Sequence, residues 1–106
     1  MTDIDEFITI VISKDLEGLI PEYIESMNKS LILLSKLIED KNFSELKSEA
    51  HKMKGHGGAY GINYISDMGL LIEGFAREEK IELIKKCVRE LKIYMSKLKI
   101  EFSENA

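Results

Sequence analysis

Two histidines lie five residues apart in a glycine-rich run, AHKMKGHGGAYG, which spans residues 50–61. An imidazole in water has a pKa of about 6.5, so near neutral pH most of it is an uncharged nucleophile that can accept a phosphoryl group. On a helix, positions five apart point in directions roughly 140° apart, so the rings of His51 and His56 diverge and cannot share one metal ion. The run therefore favours chemistry at a single histidine and predicts no metal site.

His51 is predicted to lie on the exposed face of its helix. At about 100° per residue, it points roughly 130° away from the middle of the apolar stripe. The positions within about 60° of it carry small residues and lysines, namely Ser44, Lys47, Ser48, Lys54, Gly55 and Gly58. The ammonium of Lys54 could hold an anion carried on a ring nitrogen of His51, with help from Lys47 one turn earlier.

The glycines of the run serve different purposes. Gly55 and Gly58 lie on the exposed face, although each weakens a helix by about 0.5–1 kcal/mol relative to alanine. We interpret them as room for another protein's surface to approach the imidazole. Gly57 lies on the inner side, where it would let two helices come close, and Gly61 is expected to end the helix. His56 is expected to lie on the flank and to bond to a neighbouring helix.

Apolar residues in steps of three and four predict four helices, over about 16–38, from 42 into the glycine run, 62–78 and 81–100. Each carries one apolar stripe, so the expected fold is all-α, an up-down antiparallel four-helix bundle. Asp15 is a plausible N-cap of the first helix. Pro21 either follows a short first turn that breaks there or lies near the true start of that helix.

The ends of the chain are harder to assign. Residues 7–13, FITIVIS, could form a short N-terminal helix or a strand, and an exposed strand edge there could pair with another chain. We therefore divide the chain into an N-terminal segment (1–14), the bundle (15–100) and a loose C-terminal tail (101–106).

Bulk composition excludes several classes of protein. The chain has 106 residues, of which 44% are hydrophobic, which is enough for one domain with a single core. Its longest apolar runs are far shorter than the ~20 residues that span a bilayer, so no membrane association is expected. The acidic N-terminus and the single cysteine, Cys87, favour a cytoplasmic location. The net charge of −4 argues against nucleic-acid binding, although residues 80–99 are basic.

The run AHKMKGHGGAYG, followed by LIEGFA at residues 71–76, resembles the signature of histidine-containing phosphotransfer (HPt) domains, which is approximately A-H-x-[LM]-K-G-x-[SAG]-[AGS]-x-x-G and then a leucine-glutamate pair. The resemblance covers roughly residues 15–100. It implies that His51 carries a phosphoryl group to and from aspartates of response-regulator receiver domains, within a relay that includes a hybrid histidine kinase. By position, His51 is then the phospho-acceptor, Lys54 supports the phosphate, and Gly55 and Gly58 let the receiver dock.

The sequence departs from that signature at three positions, and these departures bear on the choice of partner. His56 and Gly57 stand where the family often has serine or alanine. Ile72 replaces the usual leucine before Glu73.

The chemistry expected of the chain is that of a carrier rather than an enzyme. We find no glycine-rich nucleotide loop, and we place no acidic cluster for Mg²⁺ and no general base beside His51. No cofactor of its own is therefore expected, and Mg²⁺ is expected on the partner receiver domain. The alternative hypothesis is a helical adaptor that is never phosphorylated and binds a receiver or kinase through the same face. A weaker alternative is nucleic-acid binding by the basic last helix.

Overall fold

A computed structural model of the chain describes residues 6–106. The bundle consists of four helices, α1 (Ile20–Glu39), α2 (Phe43–Ala59), α3 (Asn63–Arg77) and α4 (Ile81–Lys97). They are preceded by a strand, β1 (Ile8–Ser13), and a 3-10 helix (Lys14–Leu19), and followed by a second strand, β2 (Leu98–Ser103). Each helix packs on the next, and α1 also packs on α4. The predicted all-α four-helix fold is confirmed.

One apolar stripe from each helix forms the core, at the spacing of three and four residues that an amphipathic helix requires. In α4 the stripe consists of Ile84, Cys87, Val88, Leu91 and Tyr94. Ile12 of β1 joins the same core and is fully buried. Within residues 6–106, every helix is too short or too polar to cross a membrane.

The start of the first helix differs from the expectation. The side chain of Ser13, not that of Asp15, acts as the cap: it accepts a hydrogen bond from the Asp15 backbone N–H (3.2 Å) at the start of the 3-10 helix. The α-helix itself begins at Ile20, with Pro21 in its first turn. Proline is tolerated there because the first N–H groups of a helix have no partner within the helix. Both expectations about Pro21 are thus met, since a short turn precedes it and it lies near the true start.

The glycine run ends α2 in the predicted way. Gly61 adopts a φ of 82°, a left-handed conformation that favours glycine. Its N–H donates to the Gly58 carbonyl (3.0 Å), and the next N–H, of Ile62, donates to the Gly57 carbonyl (2.8 Å). These two bonds reverse the chain tightly, so α3 starts next to the end of α2.

The two strands form a parallel two-stranded sheet in which Ile8 pairs with Leu98 and Ser13 with Ser103. The N-terminal segment is therefore a strand over residues 8–13, which decides between the alternatives left open by the sequence. Residues 1–5 lie outside the described part of the chain.

β2 corrects two expectations, a fourth helix that continues to about residue 100 and a loose tail that already starts at residue 101. In this segment Leu98, Ile100 and Phe102 pack against the core, whereas Lys99 and Glu101 are exposed. Such alternation has the period of a strand, and β1 supplies the hydrogen-bonding partner that a strand requires.

Candidate functional site

The α2 and α3 backbones approach each other closely at two glycines. A Cβ on Gly57 would lie 2.5 Å from the backbone nitrogen of Ser66, and a Cβ on Gly69 would lie 2.5 Å from that of Lys54. No side chain fits at either position. This confirms the prediction that Gly57 lets two helices come close, while the matching role of Gly69 was missed. The contact brings the side chains of α3 within reach of the exposed face of α2.

His51 is held by a carboxylate from α3. Its side chain is 65% exposed, and its Nδ1 lies 2.8 Å from Oε2 of Glu73, whose side chain is only 10% exposed. An ionised carboxylate can only accept a hydrogen bond, so Nδ1 carries the proton and donates it. In the neutral ring the lone pair is then on Nε2. The arrangement presents a nucleophilic nitrogen whose tautomer is fixed by Glu73.

Two cations share the same carboxylate. Nζ of Lys54 lies 3.3 Å from Oε1 of Glu73, and the Arg77 guanidinium lies 3.9 Å from Oε2. The hydrogen bond with His51 lowers the pKa of Glu73, and Lys54 lowers it further, although burial acts in the opposite direction. Glu73 therefore remains ionised near neutral pH, as its role as acceptor requires. Lys54, which is 40% exposed, and His51 thus contact the two oxygens of one carboxylate.

Glu73 overturns the expectation that no candidate general base lies beside His51. Helical spacing shows which residues share a face of one helix, but it does not identify a partner on another helix, 22 positions along the chain. The sequence signal for this contact was Glu73 in LIEGFA, the glutamate that the family signature includes. Within residues 6–106, His, Cys, Asp and Glu side chains form no group of three or more that could hold a metal ion.

The structure places the predicted docking residues on one open surface. Lys47, Ser48, Gly55 and Gly58 are all exposed. A Cβ on Gly55 would meet nothing within 4 Å, and one on Gly58 would only touch Asn63 and Ser66, at 3.5 Å. The surface near His51 therefore has room at these two positions, as expected of the exposed glycines.

An apolar residue on α3 extends this surface and was also missed. Leu70 precedes Glu73 by one turn on the same side of α3 and is 57% exposed. Its side chain adds apolar area beside the exposed lysine and glycines around His51. We refer to Lys47, Ser48, His51, Gly55, Gly58 and Leu70 as the docking face.

His56 has a different environment. Its Nδ1 lies 2.7 Å from the hydroxyl of Tyr23 on α1, which confirms the predicted bond to a neighbouring helix. Burial lowers the pKa of His56 and raises that of Tyr23, so the phenol keeps its proton and can donate it to Nδ1. A neutral His56 that accepts at Nδ1 carries its proton on Nε2. The two histidines thus have opposite tautomers, and only His51 exposes a nucleophilic Nε2.

Comparison with known proteins agrees with this geometry at the level of the family. The family model described as "Hpt domain" matches residues 14–101, which include the 3-10 helix and all four helices. Searches of the curated proteins and of the solved structures gave no significant match.

Proposed function

Because the chain belongs to the Hpt domain family, whose members are phosphocarrier modules that interact with receiver domains and kinases in two-component phosphorelays, we propose that His51 is its phospho-acceptor. The observation that carries this proposal is the exposed imidazole whose Nδ1 is held by Glu73. A cytoplasmic location stays a prediction.

The transfer is a displacement at phosphorus. Nε2 of His51 attacks the phosphorus of an aspartyl phosphate on the receiver, and an N–P bond forms while the P–O bond to the aspartate breaks. The aspartate leaves as a carboxylate with the electron pair of that bond. The ring becomes positively charged and keeps its proton on Nδ1. The same steps in reverse pass the phosphoryl group from His51 to another receiver.

Two residues near the imidazole stabilise the charges that transfer creates, one the positive ring and the other the phosphoryl oxygens. Glu73 lies 2.8 Å from Nδ1 and stabilises the positive ring that phosphorylation creates. Lys54 supplies an ammonium for the phosphoryl oxygens, as its position one turn after His51 allows. We expect the receiver to hold the Mg²⁺ that supports transfer, so the complete site forms only in the complex.

The docking face is suited to this approach. The absence of side chains at Gly55 and Gly58 leaves room for the receiver above the imidazole. Lys47 and Lys54 would face the acidic site that an aspartyl phosphate and its Mg²⁺ imply, and Leu70 would provide apolar contact. A hybrid kinase that carries its own receiver domain would dock in the same way.

The proposal is tested with a receiver domain loaded with radioactive phosphate. After incubation with the chain, we expect label on the chain that is labile in acid and stable in base, as an N–P bond is. A His51→Gln variant should not be labelled, and the matched His56→Gln variant should be labelled like the parent.

Label retained by His51→Gln would disprove the assignment. No labelling of the parent chain, together with receiver binding that is unchanged by His51→Gln, would favour the adaptor instead.

A further inference from the structure

β2 has an unpaired edge. Within residues 6–106 the sheet contains only β1 and β2, so each strand has a hydrogen-bonding neighbour on one side only. Two-stranded sheets are marginally stable, and an open edge is a template for another strand. A further strand at the edge of β2 would therefore find unpaired backbone groups.

The exposed side of β2 carries two opposite charges. Lys99 and Glu101 are exposed, and they alternate with Leu98, Ile100 and Phe102, which pack against the core. In register across the sheet they pair with Thr9 and Val11, which are uncharged. Neither forms a salt bridge with any residue in the described range 6–106. The two charges are thus available to a partner strand.

We propose that this edge pairs with β2 of a second copy of the chain, antiparallel and centred on Ile100. In this register Lys99 of each copy lies opposite Glu101 of the other, which gives two cross-strand ion pairs. A two-fold axis perpendicular to the sheet keeps corresponding side chains on the same face, so both ion pairs lie on the exposed face. The result is a continuous four-stranded sheet in the order β1-β2-β2-β1.

The charges also select the register. A shift of two residues in one direction places Lys99 opposite Lys99, and a shift in the other places Glu101 opposite Glu101. Like charges directly opposite each other destabilise a sheet, whereas opposite charges stabilise it. β1 offers no such selection, because residues 8–13 carry no charge. The edge of β2 is therefore the one that specifies a second copy.

Such a dimer leaves His51 accessible. The sheet lies at the end of the bundle where α2 ends, since a Cβ on Gly61 would lie 3.3 Å from Ile12 of β1. His51 precedes Gly61 by ten residues of α2 and its terminal turn, which places it about 15 Å further along the bundle. Each copy keeps its own docking face, so the dimer would carry two independent phospho-acceptors.

The experiment is sedimentation equilibrium of the full chain, from micromolar to millimolar concentration. The parent chain should dimerise. Lys99→Glu and Glu101→Lys should each weaken dimerisation roughly tenfold, because every cross-strand ion pair becomes a repulsion. An equimolar mixture of these two variants should associate like the parent, since an all-acidic strand then faces an all-basic one.

The matched controls are Lys86→Glu and Glu90→Lys on α4, two exposed residues that form no salt bridge within residues 6–106. They change the net charge equally and should leave dimerisation unaffected, alone or mixed. The helical signal in far-UV circular dichroism checks that all variants fold. A parent chain that is monomeric throughout overturns the proposal. So does a dimer that resists the single charge reversals, which would use another surface such as the edge of β1.

Discussion

Glu73 Oε2 of α3 lies 2.8 Å from Nδ1 of His51 on α2. The imidazole and the carboxylate that orients it therefore come from different helices. A change in the distance between α2 and α3 is expected to change the tautomer of the imidazole, because this one bond fixes the proton on Nδ1.

Replacing Glu73 by glutamine should slow phosphorylation of His51 by at least about tenfold, or about 1.4 kcal/mol in activation free energy. The neutral amide does not stabilise the positive ring that forms on transfer, and it can also donate to Nδ1 and so favour the wrong tautomer. Transfer rates from a phosphorylated receiver measure the effect, and ¹⁵N chemical shifts of the ring report the tautomer. A rate equal to that of the parent would show that Glu73 has only a structural role.

Lys54→Ala should reduce the transfer rate roughly tenfold, because the ammonium beside the ring no longer supports the phosphoryl oxygens. Lys52→Ala is the matched control, since Lys52 is exposed on the same helix and pairs with Glu49 rather than Glu73. It should transfer within about twofold of the parent. Equal losses in the two variants would mean that only the overall charge of α2 matters.

Gly58→Leu should fold but bind and transfer poorly, because a leucine would stand in the space that the receiver needs. A Cβ there meets its nearest neighbours at an ordinary 3.5 Å and the position is exposed, so we expect the fold to accept the leucine. Ala59→Leu adds similar bulk at an exposed position outside the docking face and serves as the control. Affinity for a receiver can be measured by calorimetry. Normal transfer by Gly58→Leu would contradict the close approach that we infer.

Two glycine-to-alanine substitutions should have opposite effects on the free energy of unfolding. Gly55→Ala should raise it by about 0.5–1 kcal/mol, because alanine favours the helix and its Cβ meets nothing within 4 Å. Gly69→Ala should lower the free energy of unfolding by about 1–3 kcal/mol, because its Cβ would lie 2.5 Å from the backbone nitrogen of Lys54. Urea unfolding measures both. If Gly69→Ala were neutral, the close contact of α2 and α3 would not be a constraint.

The burial of His56 should make the free energy of unfolding depend on pH. Burial lowers the pKa of His56 below its ordinary 6.5, and nearby Glu49 only partly offsets this. The unfolded chain therefore binds more protons in this range, and stability falls as the pH drops through 6.5 towards the pKa of the folded state. Relative to His56→Gln, the parent should lose stability between about pH 7.5 and 5.5. If the difference in unfolding free energy between the parent and His56→Gln stayed constant with pH, the lowered pKa of His56 would be contradicted.

Local periodicity was sufficient to predict the helices and the exposed position of His51, because both depend on residues within a few positions of one another. Gly57 and Gly61 were understood for the same reason. Two of the features that were missed depend on partners distant in the chain. Glu73 reaches His51 only through the packing of α2 on α3, and β2 becomes a strand only because β1 lies beside it.

The pairing of Ile8 with Leu98 joins the two ends of the chain. Bringing such distant residues together costs much chain entropy in the unfolded state. This cost is smaller once the intervening helices have packed. We therefore expect the sheet to assemble last during folding and to open first in the native state, on a shorter timescale than global unfolding. The amide hydrogens of β1 should accordingly exchange with solvent before those of the core helices.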